Sequence, residues 1–167
     1  MKITKTKDYE TLAKLNKTVQ DVHVGLFPEY FTPYNYEQVR NFFRERVNDP
    51  EQIFLLVEEN ANPIGYVWMT VRQSSDSPFK KACTTLYIHQ ISVERNFSNK
   101  GVGSQVITHI EKIAKDLRAT KLELDYWIDN TIARNFYKKL GFVQTGAHSF
   151  YMGDEEQLDF IMLKTLM

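Results

Sequence analysis

The sequence predicts a single α/β domain of the mixed α+β kind, spanning residues 1–167, with a mostly antiparallel sheet of about six or seven strands flanked by four helices. Its 167 residues, 43% of them hydrophobic, suffice for one compact core. Apolar residues recur at helical spacing in some segments and form strand-like runs in others. Short polar links predict antiparallel hairpins, and a helix between two strands predicts a parallel pair.

The first half of the chain is predicted to form an edge strand, two helices and three strands. Asp8 and Asn35 precede the two helical patterns as N-caps. The first pattern carries a stripe from Leu12 to Leu26 and stops at Pro28, before an ordered, aromatic loop. The predicted bounds are strand 3–6, helices 8–27 and 35–48, and strands 53–58, 64–71 and 84–93, with a mobile polar loop at 74–78.

The second half alternates helices and strands. A strongly amphipathic helix opens at Gly101 and runs to about Leu117. No repeat, low-complexity tract or linker divides the chain. The predicted bounds that follow are strand 121–126, helix 130–140, and strands 142–151 and 158–163.

Charge and cysteine content limit the functional classes. Basic and acidic residues number 21 each, so the chain offers no bulk field for nucleic acid or an anionic membrane. Cys83 is the only cysteine, which excludes an intramolecular disulfide and a cysteine-rich metal site. Without an apolar leader or a membrane-length segment, we expect a cytoplasmic protein with no nucleic-acid or membrane partner and no metal.

The sharpest local feature is the turn between the third long strand and the amphipathic helix. Gly101 and Gly103 allow another molecule to approach the backbone, and the N–H groups of a first helical turn attract phosphate. Lys100 adds a positive charge. Two glycines alone are equally compatible with simple packing at a helix start. The segment lacks the third glycine of a dinucleotide fingerprint and the Gly-Lys-Ser/Thr ending of a P-loop.

A second segment gives the turn its context. Residues 130–142 contain Asn-x-x-Ala, then Phe-Tyr, then Leu-Gly-Phe. Together with Ser98-Asn99-Lys100-Gly101-Val102-Gly103, this segment resembles the GNAT family of acetyltransferases over about residues 86–142. One residue departs from the family pattern, because Ser98 stands where the family usually has Gln or Arg.

The resemblance implies the GNAT-type acyl-CoA N-acyltransferase fold and acetyl-CoA as cosubstrate. It also implies a strand beside the pantetheine arm, a loop around the pyrophosphate and an asparagine that binds pantetheine. The implied cofactor-binding residues are Ile91, Ser92, Val93, Ser98, Asn99, Lys100, Gly101, Val102, Gly103, Ser104, Asn130, Ala133 and Tyr137.

Three residues are catalytic candidates. Tyr137 matches the family tyrosine near the CoA sulfur, which implies a general acid toward the departing thiolate; the alternative is a packing residue. Alternation places Tyr87, His89, Ile91 and Val93 on one strand face. His89 could accept the amine proton, and Tyr87 falls where several relatives carry a glutamate; a structural histidine, or no dedicated base, is the alternative.

The acceptor site is the least defined. The resemblance implies that the loop between the first two helices shapes it, with Tyr126 and Trp127 at a strand end as further candidates. The substrate-binding candidates are Glu29, Tyr30, Phe31, Tyr34, Tyr87, His89 and Tyr126, although the loop could equally be a hydrophobic plug over the core.

The resulting functional hypothesis is an N-acetyltransferase in which a primary amine of a small molecule or peptide attacks acetyl-CoA directly in a ternary complex. A non-catalytic CoA or acyl-CoA sensor or interaction module is the alternative, and a nucleotide-phosphate binder is a third hypothesis. The resemblance also makes a homodimer possible.

Overall fold

The computed structural model describes residues 1–97 and 99–166 and confirms the mixed α+β architecture. It contains seven strands and four α-helices in the predicted order. Their bounds are β1 Lys2–Lys5, α1 Tyr9–Leu26, α2 Tyr36–Arg46, β2 Gln52–Glu59, β3 Asn62–Ser74, β4 Cys83–Val93, α3 Val102–Asp116, β5 Lys121–Trp127, α4 Thr131–Lys139, β6 Val143–Met152 and β7 Glu155–Thr165.

The helix starts follow the predicted capping chemistry. The Asp8 carboxylate accepts a hydrogen bond from the Thr11 N–H at 3.0 Å, and the Asn35 side chain accepts one from the Gln38 N–H at 3.1 Å. Each cap satisfies a backbone donor that has no partner inside its helix. Both predicted N-caps are therefore confirmed.

The strand order is β1-β2-β3-β4-β5-β7-β6. β4 and β5 are parallel, as the helix between them predicts, with Leu86 opposite Leu122. β5 and β6 also flank a helix but are not neighbours, because β7 lies between them and is antiparallel to both. The pairing of Met152 with Glu155 leaves only Gly153 and Asp154 to turn the chain, so β7 folds directly back along β6.

The turn between β2 and β3 is tighter than the predicted link. Its two residues are Asn60 and Ala61, with φ of 49° and 64°. Two successive left-handed residues are typical of a type I′ turn, which matches the twist of a hairpin. β3 then continues to Ser74, into the start of the predicted mobile loop.

The chain divides into two compact units, of which the first comprises residues 1–69 and 90–106. Its core joins α1 and α2 to the early strands through Leu12, Phe43, Phe54 and Tyr66. The predicted apolar stripe of α1 is buried only in its first half, since Val22 is 39% exposed and Leu26 57%. The helix reaches Leu26 as predicted, and the described residues leave the last turns of its apolar stripe exposed.

The second unit comprises residues 70–89 and the described residues from 107 onward. Its buried side chains come from α3 and from every second position of β4 and β5, and include Leu86, Leu122, Leu124, Ile110 and, from β7, Met162. In the described part of the chain, no helix combines the length and the apolar character needed to cross a bilayer.

Candidate active site

The glycine turn before α3 has the backbone that the sequence suggested. Asn99 and Gly101 are both left-handed, with φ of 62° and 79°. α3 begins at Val102, one residue later than predicted, and the Gly101 carbonyl accepts from the Gln105 N–H at 3.1 Å. The first N–H groups of a helix have no intrahelical acceptor, so this end carries partial positive charge. Ser98 lies outside the described residues.

The end of β4 lies unusually close to β3. A Cβ built on Gly65 would lie 2.3 Å from the Ser92 carbonyl oxygen, so only glycine fits there without a backbone shift. The Glu94 N–H donates to the Ile64 carbonyl at 2.8 Å, and Ser92 is buried. Backbone contacts to β3 therefore help to hold the segment that is expected to run beside pantetheine, from Ile91 to Val93.

Tyr87 bonds to a carboxylate that the sequence analysis did not identify. Its hydroxyl donates to Asp125 Oδ2 at 2.9 Å. The Arg72 guanidinium lies 3.5 Å from the centre of the Tyr87 ring and forms an ion pair with Glu123 at 3.1 Å. Burial, followed by the hydrogen bond to Asp125, raises the pKa of Tyr87 well above its usual value. Tyr87 therefore stays protonated and remains a donor to Asp125.

His89 contacts Tyr87 on the predicted face of β4, with ring centres 4.7 Å apart and nearly perpendicular. Its Nε2 lies 2.6 Å from the Thr70 hydroxyl. Burial and the nearby Arg72 charge lower the pKa of His89 from 6.5 to about 4. The imidazole is thus neutral at neutral pH and a weak proton acceptor.

Asp125 lies near two further titratable groups, Asp159 on the adjacent strand β7 and His148 on β6 beyond it. His148 Nδ1 lies 3.7 Å from Asp125 Oδ2, and His148 Nε2 lies 3.8 Å from Asp159 Oδ2. Each of these three residues offers one atom that could bind a metal ion, and these atoms lie within 4.8 Å of one another. Burial, followed by the Asp125 charge, raises the pKa of Asp159, while His148 opposes that shift. Sequence spacing gives no sign of this cluster, because β5, β6 and β7 bring it together only through their pairing.

Tyr137 is half-buried on α4. Its ring makes edge contacts with Phe136 and Phe142, with centres 5.1 and 5.5 Å apart. Burial raises the pKa of Tyr137 to about 12, so the hydroxyl keeps its proton. Within residues 1–97 and 99–166, no protein group forms a hydrogen bond with that hydroxyl. The group is a protonated donor that is available to a ligand.

Asn130 is the N-cap of α4. Its Oδ1 accepts from the Ala133 N–H at 3.0 Å. The cap uses the oxygen and leaves the amide –NH₂ group for another partner. The helix-capping role is therefore present, and it is compatible with pantetheine binding.

The candidate acceptor residues have different surroundings. Glu29 is exposed, while the Phe31 ring stacks on His23 at 4.9 Å. The Tyr34 hydroxyl donates to the Ala13 carbonyl at 2.7 Å and so ties the loop to α1. Tyr126 is buried, and its ring packs against Phe160 at 5.9 Å. Tyr30 is partly buried.

Comparison with known proteins supports this interpretation of the two segments. The model of the Acetyltransferase (GNAT) family matches residues 17–142. An uncharacterized N-acetyltransferase from Lactobacillus delbrueckii subsp. lactis is 24% identical over 140 residues, covering 78% of this chain and 80% of that protein. An N-alpha-acetyltransferase from Sulfurisphaera tokodaii is 27% identical over 128 residues, which cover 74% of this chain and 75% of that protein.

The fold has close counterparts among solved structures. A tetramutant of a Bacillus halodurans protein superimposes with a TM-score of 0.79 at 22% identity, covering 92% of this chain and 99% of its own. An identity of 22% supports the shared fold alone. The family match, in contrast, includes both the glycine turn and residues 130–142. This chain therefore belongs to the GNAT acetyltransferase family and is an acyltransferase with acetyl-CoA as its cosubstrate.

Proposed function

We propose that residues 1–167 act as one catalytic domain that transfers an acetyl group from acetyl-CoA to the primary amine of a peptide or small molecule. The amine nitrogen attacks the thioester carbonyl while both substrates are bound. A C–N bond forms and the C–S bond breaks. The amine loses one proton and the CoA thiolate gains one, so the products are an N-acetylated amide and CoA with a free thiol.

The observation that carries the proposal is the state of the Tyr137 hydroxyl. Its pKa of about 12 keeps it protonated, and it has no protein partner in the described chain. A protonated phenol can donate a hydrogen bond to the sulfur as negative charge develops on it, which assists the departure of the thiolate. We assign Tyr137 as the general acid.

The cofactor is assigned to the backbone around the glycine turn. The N–H groups that open α3 would bind the pyrophosphate, and Lys100 would add charge. The stretch from Ile91 to Val93 would hold the pantetheine arm, with its backbone N–H groups toward the thioester oxygen. The free –NH₂ group of Asn130 would bind the arm further along.

The proton lost by the amine is assigned to Asp125. An ammonium group is attracted to a carboxylate, and the nitrogen becomes positive again when it attacks the thioester. The Tyr87 hydroxyl orients the carboxylate through its 2.9 Å hydrogen bond. His89 is neutral because its pKa is about 4, so it carries no charge that would repel an ammonium group.

A peptide amine is one acceptor class with independent support. The Sulfurisphaera tokodaii relative is named an N-alpha-acetyltransferase, and this chain covers three-quarters of its length. The exposed Glu29 and its aromatic neighbours Tyr30 and Phe31 would contact the acceptor at the α1–α2 loop.

The test is thiol release from acetyl-CoA across a panel of peptide amines, polyamines and aminoglycosides. We expect CoA to be released with at least one class of amine. Gly103→Asp should abolish this turnover, because its carboxylate would occupy the proposed pyrophosphate site. Gly25→Asp is the matched control, because nothing lies within 4 Å of a Cβ at Gly25. Binding of acetyl-CoA without turnover on any amine would favour the non-catalytic CoA sensor instead.

A further inference from the structure

A cavity of about 330 Å³ lies within the first compact unit, between α1, α2 and the strands β3 and β4. Its polar lining consists of carboxamides: Asn16 and Gln20 from α1, Gln38 from α2 and Gln90 from β4. Its apolar lining includes Phe42 and Trp68. Within the described chain, no charged side chain lines it.

A buried tyrosine fixes the orientation of two of these amides. Tyr66 is fully buried, and burial raises its pKa, so its hydroxyl always carries a proton. The oxygen of that hydroxyl accepts from Asn16 Nδ2 at 2.8 Å. The proton is therefore donated to Gln90 Oε1, which also receives a longer bond from Asn16 Nδ2 at 3.5 Å.

This network leaves two groups with opposite hydrogen-bonding character. The Gln90 oxygen is taken by Tyr66, which leaves its –NH₂ group as a donor. The Asn16 –NH₂ group is taken, which leaves its carbonyl oxygen as an acceptor. Neither remaining group has a partner among the described residues, and both residues line the cavity. One fixed donor beside one fixed acceptor is complementary to an amide group, which offers a C=O and an N–H.

The aromatic wall is fixed as well. The Trp68 indole N–H donates to Gln52 Oε1 at 2.6 Å, and the ring meets Phe42 edge-on with centres 5.4 Å apart. A planar or apolar group fits against such a wall. An ion that enters an aromatic, uncharged cavity loses hydration without gaining a counter-charge, so the lining selects against it.

We propose that this cavity binds the uncharged, amide-bearing and apolar part of the acceptor, with the amide carbonyl on Gln90 and the amide N–H on Asn16. This assignment rests on the proposed acetyltransferase function. Gln90 directly precedes the stretch from Ile91 to Val93 that is assigned to pantetheine. A ligand that contacts Gln90 would therefore lie within one residue, along β4, of the backbone that we assign to the thioester. The acceptor class is an amine attached to a peptide-like amide with an apolar or aromatic group.

The test uses three probes that share a ring and differ in one head group: phenylacetamide, phenylacetate and phenethylamine. Binding is measured by calorimetry with the full-length protein, without acetyl-CoA. We expect the neutral amide to bind at least about tenfold more tightly than either ion, a difference of about 1.4 kcal/mol. Equal binding of all three probes, tighter binding of an ion, or no amide binding at millimolar concentration would overturn the proposal.

An isosteric substitution sharpens the test. Gln90→Glu keeps the oxygen that accepts from Tyr66 but replaces the –NH₂ donor with a second oxygen. We expect it to lose the phenylacetamide preference and to gain affinity for phenethylamine. Gln38 is exposed and lines the cavity, but it takes no part in the hydrogen bonds around Tyr66. Gln38→Glu adds a negative charge to the lining and should therefore lower the affinity for phenylacetate further. Gln144→Glu, exposed on β6, is the control and should change neither preference.

The two proposals fail in distinguishable ways. If phenylacetamide binds selectively but no amine is acetylated, the cavity assignment stands as a ligand site and its role in acetyl transfer is wrong. If amines are acetylated but the probes show no preference for the amide, the acetyltransferase function stands and the cavity assignment is wrong.

Discussion

Three side chains of the second unit contact Tyr87, one by a hydrogen bond and two through its ring. Tyr87 donates to Asp125, His89 stacks edge-on against its ring, and Arg72 covers the ring from above. Sequence alternation predicted that Tyr87 and His89 share a face, but it could not identify Asp125. That carboxylate lies 38 positions further along the chain and reaches Tyr87 only through the parallel β4–β5 pair.

Tyr137→Phe removes the proposed acid while keeping the ring that contacts Phe136 and Phe142. We expect kcat to fall by about 10²-fold or more, with affinity for acetyl-CoA nearly unchanged, as for loss of a general acid. Initial rates of thiol release and acetyl-CoA titration measure the two quantities. Tyr151→Phe, at a tyrosine that is 70% exposed, is the control and should leave kcat unchanged. An unchanged kcat in Tyr137→Phe would remove this residue from the mechanism.

Asp125→Asn and Tyr87→Phe should act as a unit, because each removes the same charged hydrogen bond. We expect each to lower kcat by about 10- to 100-fold, and the double variant to be little worse than Asp125→Asn alone. A double-mutant cycle on kcat measures the coupling. Strictly multiplicative losses would show that the two side chains contribute independently and would contradict the pair.

His89 gives a pH dependence with a defined sign. Its pKa is about 4 in the folded protein against 6.5 for an unperturbed histidine, so protonation is harder in the folded state than in the unfolded state. The contribution of His89 to stability is therefore present above pH 6.5 and is lost as the pH falls toward 4. Between pH 6.5 and 4, the free energy of unfolding from chemical denaturation should fall more steeply with pH for the wild type than for His89→Gln. If the free energy of unfolding changes with pH in the same way for both proteins, the lowered pKa of His89 is contradicted.

At the scale of elements, local chemistry predicted most of the structure. Asp8, Asn35 and Asn130 all cap the helices that follow them, and the parallel β4–β5 pair follows from the helix between the two strands. The insertion of β7 between β5 and β6 was not predictable from periodicity, because it depends on which sheet edge is available once β5 has formed. The exposed end of α1 was also missed, since a stripe of Val22 and Leu26 does not show what covers it.

The turn between β2 and β3 offers an element-scale prediction. Ala61 has a φ of 64°, a left-handed conformation that costs a residue with a Cβ about 1 kcal/mol or more and costs glycine much less. Ala61→Gly should therefore raise the free energy of unfolding by up to about 1 kcal/mol. Ala147→Gly, on the exposed face of β6, should have the opposite sign because glycine weakens a strand. Denaturant titration of both variants measures the difference, and destabilisation by Ala61→Gly would contradict the turn geometry.

At the scale of the whole molecule, family and fold were recoverable from two short segments, whereas the acceptor site was not. The glycine turn and residues 130–142 carry the residue types of the family pattern, and the family match includes both segments. The groups that we propose for the acceptor come from separate helices and strands and follow no local pattern: Asn16 and Gln90 in the first unit, and Asp125 in the second. Their hydrogen bonds to Tyr66 and Tyr87 form only in the folded chain, so no pattern in the sequence indicates them.

The central claim is that this chain moves the acetyl group of acetyl-CoA directly onto an amine. The most direct measurement follows one reaction by two readouts: released CoA thiol, and mass spectrometry of the amine and of the protein. We predict one acetylated amine for each CoA released, with no acetyl group retained on the protein at any time. CoA release without an acetylated amine, or an acetyl group that accumulates on the protein before reaching the amine, would contradict direct transfer.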